Sequence, residues 1–144
     1  MIQKLHLVTY GCCKAFDKSK FHPVKNSTFK PVGGLWASPV ISNYGWADWC
    51  KEENFRLERL DESFSFYYEG NILTIDTIDD LERLIWVDSC GFKMVDYIQM
   101  QSTGIDAIHL TNKGENQTRF TFPRSLYGWD CESVFIMNPE GVTK

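Results

Sequence analysis

No apolar run in this chain of 144 residues approaches the ~20 residues that a membrane-spanning helix requires. The N-terminus, Met1-Ile-Gln-Lys-Leu-His-Leu-Val8, lacks a long apolar segment followed by a small-residue cleavage site, so no secretory signal is expected. There is no Cys-x-x-Cys, and the cysteine count is an odd five, with Cys12 and Cys13 adjacent and Cys50, Cys90 and Cys131 isolated. That count and spacing argue against both a disulfide framework and a zinc site, and with the missing span and signal they predict reduced thiols, no metal and a cytoplasmic protein. Internal repeats, low-complexity segments and linkers are also missing, which leaves one domain over residues 1–144. A nucleic-acid binder acting through basic charge alone is disfavoured, because the formal net charge is −4 and no nucleic-acid motif is present.

What the chain does have is aromatic side chains, 15% of all residues, enough to fill a core and still line a surface. Charge is uneven along it. Lys4, Lys14, Lys18, Lys20, Lys25 and Lys30 face a lone Asp17 over residues 1–33, whereas Glu52-Glu53, Asp61-Glu62 and Asp79-Asp80 make residues 51–90 acidic. A basic segment can attract phosphate or an acidic partner, although scattered lysines are more often a solvated face.

Periodicity predicts mostly strands. Residues 3–10 alternate, with Leu5, Leu7 and Thr9 on one face, and Gly11 ends the strand. Residues 12–32 read as a long loop with at most one helical turn. Gly33-Gly34 permits close backbone approach by another chain or a ligand. Leu35-Trp-Ala-Ser38 is a short strand that Pro39 terminates, and a helix follows from about Tyr44 to Asn54, with Asn43 a candidate cap. Residues 55–58 suggest another strand, and 63–68 with 72–75 a hairpin turning at Glu69-Gly70-Asn71. Thr77 and Asp80 resemble a capping box ahead of a short helix ending near Val87. A helix is expected over 93–101, a strand over 105–111, a turn at 113–116 and a strand over 118–122. The last strand, Val134-Phe-Ile-Met137, is an unbroken apolar run, and Glu132 stands at its head. Strands that do not alternate regularly with helices imply an α+β fold with mostly antiparallel pairing.

Three pieces stand out in order: Leu7-Val-Thr-Tyr-Gly11 closing the first strand, Gly33-Gly-Leu-Trp-Ala-Ser38 before an aromatic-rich helix, and Asp130-Cys-Glu132 before the last strand. Their order resembles the ADP-ribosyltransferase superfamily, in its small bacterial or phage mono-ADP-ribosyltransferase form. The resemblance implies a split β-sandwich with a few short helices. It also implies a transferase that takes NAD as substrate, cleaves the nicotinamide glycosidic bond and modifies a protein or nucleic-acid acceptor. By the same analogy such a domain would serve as a toxin or in a defence system. It gives Glu132 the catalytic part, holding the ribose 2′-hydroxyl beside the developing oxocarbenium ion. Ser38 would steady that Glu or the ribose, Gly34 would belong to the same motif, and Trp36 or Trp46 would offer a face to the nicotinamide ring. For the first-strand contact with NAD, His6, Thr9 and Tyr10 all remain candidates, no Arg being present there. Asp130 stands where related transferases carry an acceptor-orienting Gln or Glu.

Blander readings accompany each assignment. Glu132 can be a solvated strand end, and Trp36 and Trp46 core residues. Ser38 can be a turn former, His109 an ordinary surface or hydrogen-bonded histidine, and Cys12-Cys13 an unactivated pair. The incomplete first motif supports an alternative from another class, a non-catalytic binding or inhibitor protein of the same fold. The two separate on whether Glu132, Ser38 and Thr9 or His6 converge on one cleft, and the enzyme reading fails if Glu132 points to bulk solvent away from Trp36.

Overall fold

The computed structural model describes residues 2–11, 14–27 and 30–143. Among these described residues eight strands form two sheets: β1 (Ile2–Tyr10), β2 (Leu35–Pro39), β3 (Ser63–Ile75), β4 (Trp86–Ser89), β5 (Phe92–Val95), β6 (Ala107–Leu110), β7 (Ser133–Ile136) and β8 (Val142–Thr143). The larger sheet runs β1-β2-β7-β6-β3-β8, and β3 also pairs back onto β1, so five strands close into a small barrel. Among the described pairings only β3–β6 is parallel. The α+β class and the mostly antiparallel pairing stand, but the strands close on themselves instead of splitting into two open sheets.

Closure follows from the length of β3. Its first nine residues pair with β1, from Ile2↔Asn71 to Tyr10↔Ser63, and its last four run alongside β6, from Ile72↔Ala107 to Ile75↔Leu110. Alternate residues therefore feed two different cores. Leu7, Ala37, Phe66, Tyr68, Ile72, Ala107, Val134 and Ile136 fill the barrel. Leu73, Ile75, Ile108, Leu110 and Phe135 point outward and pack under Leu81, Val95, Tyr97, Met100 and Trp129. Each such side chain, when fully buried, contributes about 1.5–3 kcal/mol.

The helices are short: α1 (Trp46–Glu53), α2 (Tyr97–Ser102) and α3 (Asn112–Thr118). α1 falls within the expected range, but Gly45, not Asn43, occupies its N-cap, and Asn54 ends it in the left-handed conformation with φ 53°. Within the expected loop of residues 12–32, the described residues 14–27 and 30–32 are irregular apart from a 3₁₀ turn at Lys18–Lys20 and a bridge between Lys25 and Val32. Asp80 accepts the Thr77 N–H at 3.0 Å, as a capping box requires, at the head of a 3₁₀ helix over Ile78–Arg83.

Several expectations are corrected. Residues 55–58 form no strand, since Arg56 is left-handed (φ 47°) and Leu57–Arg59 is a 3₁₀ turn. The expected hairpin over 63–75 is one continuous strand, because Gly70 is held in register opposite Gln3. Residues 93–101 divide into β5 and α2: Cys90-Gly91 (φ 48° and 86°) turn β4 back onto β5, and Asp96 then caps α2 by accepting the Gln99 N–H. Residues 113–116 lie in α3, which Thr111 caps through the Gly114 N–H at 3.0 Å, and 118–122 hold no strand. No helix among the described residues is long and apolar enough to cross a membrane.

Candidate functional site

Glu132 directly precedes β7, whose four residues are all buried, so its backbone is fixed by the sheet. Register places His109 of β6 opposite Val134, and the two side chains share the barrel-facing side. Glu132, two residues before Val134, follows that side and reaches His109 diagonally, with Oε2 2.8 Å from Nε2. The segment after β2 wraps the other side. Ser42 Oγ donates to Glu132 Oε1 at 2.6 Å and accepts the Tyr44 N–H at 3.1 Å. Ser38 Oγ donates to the Glu132 carbonyl at 3.1 Å and accepts the Trp46 N–H at 3.0 Å, and the Glu132 N–H donates to the Tyr44 carbonyl.

The Glu132 and His109 side chains are each only 12% exposed. Burial alone pushes the Glu132 carboxyl up. The hydrogen bonds from His109 and Ser42, with the charge of His109, outweigh it and hold the carboxyl below its ordinary value. An ionised carboxylate only accepts, so Nε2 of His109 is the donor in their hydrogen bond. Each carboxylate oxygen is held by one side-chain donor, Oε1 by Ser42 and Oε2 by His109.

A cleft of about 310 Å³ opens on the outer face of the barrel, the other side of the sheet from the barrel-facing His109. Trp36, Trp46 and Tyr10 supply aromatic walls, Lys30, Arg56 and Arg59 supply positive charge, and Ser38 and Asp130 also line it. Lys30 Nζ sits 5.0 Å from the Trp36 ring centre and 5.4 Å from that of Trp46, and 3.8 Å from the Asp130 carboxylate. Cys131 and Ser133 line the cleft, whereas the intervening Glu132 does not. Burial pushes the Cys131 thiol up to about 11, so it stays protonated at neutral pH and is no nucleophile.

Tyr10, Trp36, Ser38, Trp46 and Asp130 thus come together, five of the residues singled out in the sequence. His6 is not with them. It is exposed on β1, stacked on Tyr67 with ring centres 4.4 Å apart. Thr9 is buried and donates its hydroxyl to the Trp36 carbonyl, a structural bond that leaves it outside the cleft. Gly34 (φ 64°) does permit a close approach, but by the protein itself: a Cβ there would lie 2.5 Å from the Phe135 ring. Cys12-Cys13 falls outside the described residues. Among those described, no group of His, Cys, Asp and Glu is arranged to hold a metal ion.

Ser42, His109, Lys30, Arg56 and Arg59 were not singled out as site residues. The only trace of His109 in the sequence is its place in a strand near Ala107, and Ser42 has none. Searches against protein-family models, curated proteins and solved structures found no match to this chain.

Proposed function

We propose that the protein is a small NAD-consuming enzyme of ADP-ribosyltransferase type, with Glu132 as its catalytic carboxylate and the Trp36–Trp46 cleft as its cofactor site. The observation that carries this reading is the state of Glu132: ionised, largely withdrawn from water, and aimed by Ser42 and His109 at the head of a rigid strand. In the reaction the C1′–N bond breaks with its electron pair leaving on nicotinamide, and positive charge develops on the ribose. A fixed anion accepting the 2′-hydroxyl stabilises that charge, and most strongly where water is scarce. Trp36 and Trp46 offer faces for the nicotinamide ring, Arg56 and Arg59 suit the diphosphate, and Asp130 could orient the acceptor, a protein or nucleic acid.

A second reading, a non-catalytic nucleotide-binding protein, draws on one observation: the Glu132 side chain is not part of the cleft lining. The experiment that separates them is nicotinamide release from NAD by wild-type protein and by Glu132→Gln, alongside calorimetric binding of NAD to both. Release that vanishes in the variant while binding persists supports the enzyme. Binding without release by either protein leaves the non-catalytic reading, and neither binding nor release removes NAD altogether.

A further inference from the structure

Lys30 is a loop residue, yet its ammonium lies between two indoles and against a carboxylate. Cations are attracted to the face of Trp, the best aromatic for the purpose, within about 6 Å of the ring centre. Both distances, 5.0 and 5.4 Å, meet that criterion, and the 3.8 Å approach to Asp130 adds an opposite charge. The walls are held from behind. Trp49 stacks on Trp46 at 5.0 Å, and Trp36 packs edge-on against Trp129 and tilted against Phe135. Asp130 is also 4.0 Å from Arg119, so its position does not depend on Lys30.

We propose that Trp36, Trp46 and Asp130 form a cage for a planar organic cation, and that Lys30 fills this cage from within the chain as an exchangeable occupant. The ligand class is a pyridinium-like or similarly delocalised cation. A lysine ammonium is compact and strongly hydrated. A delocalised ring cation of the same charge sheds its water more readily and covers both indole faces. The cage therefore favours the incoming ring, and Lys30, 37% exposed at its side chain, can swing out to solvent. The inference rests on the cleft being a ligand site, and not on any cleavage by Glu132. If NAD is the substrate, the same cage distinguishes its oxidised pyridinium from the neutral reduced ring.

The test uses two near-isosteric probes, 1-methylnicotinamide, a cation, and nicotinamide, which is neutral, each titrated against tryptophan fluorescence. Wild-type protein, Lys30→Ala, Lys30→Gln and Asp130→Asn are compared, with thermal melts to verify that each is folded. Removal of the internal cation should tighten the cationic probe roughly 3- to 30-fold, the range expected for losing a competitor of cation–π strength. Nicotinamide should change by less than about twofold, and Asp130→Asn should weaken the cation. The proposal is overturned if both Lys30 variants leave the cation's affinity unchanged or lower, or if nicotinamide gains as much as the cation. Loss of NAD turnover alone bears on Glu132 and leaves this result standing.

Discussion

At the scale of single residues, the Glu132 carboxylate is the group on which the site depends, and the pH dependence of its contribution has a definite sign. Its folded pKa lies below the ordinary 4.5, so its stabilising bonds are fully present above that value. They are lost as pH falls through the folded value. Urea midpoints measured from about pH 6 down to pH 3 should fall in the wild type, and less steeply in Glu132→Gln. His109→Ala removes a donor to a charged acceptor and should cost about 1.5–3 kcal/mol near neutral pH. An unchanged midpoint in that variant would show that the pair contributes little. Glu132 could be found from sequence because an apolar run advertises the strand behind it. Its partners could not, since Ser42 and His109 are 90 and 23 positions away and only the pairing of β7 with β2 and β6 brings them near.

At the scale of elements, local signals succeeded where they agreed with packing and misled where packing overruled them. The alternation of β1 marked Leu7 and Thr9 as inward, and both are buried. Gly70 looked like a turn, yet its neighbours are the Tyr68 ring and Asp106, which crowd it within a continuous strand. α3, Asn112–Thr118, is polar and contains Gly114, so it reads as a turn until Thr111 is seen to cap it. Gly114 shows which effect wins. Helix propensity favours Ala over Gly by about 1 kcal/mol. A Cβ at Gly114, however, would lie 2.1 Å from the Ile75 carbonyl oxygen, an overlap with fixed backbone. Gly114→Ala should therefore destabilise the protein, by about 2 kcal/mol or more, opposite in sign to the propensity. Chemical denaturation of the variant measures this, and a gain in stability would refute it.

At the scale of the whole molecule, the barrel is built from pairs distant in sequence: Trp36 opposite Phe135, Leu73 beside Ile108, Leu7 opposite Phe66. Such contacts require long loops to close before they stabilise anything, which places folding in the millisecond-to-second range rather than microseconds. Stopped-flow refolding followed by tryptophan fluorescence tests this directly, and microsecond completion would argue against a closed barrel. Barrel topology was not legible in the sequence because strand patterns give faces but not partners, and the parallel β3–β6 pair has no local signature.

The two-stranded sheet of β4 and β5 has a different exposure to other molecules. Strands that close around a barrel satisfy one another's lateral amides, whereas β4 and β5 pair as strands only with each other among the described residues. A strand from a second copy of the chain would have to approach this hairpin along one of its flanks. The hairpin bears a deterrent, since Asp88 and Lys93 face each other across it 2.7 Å apart, and an incoming strand would have to desolvate that ion pair.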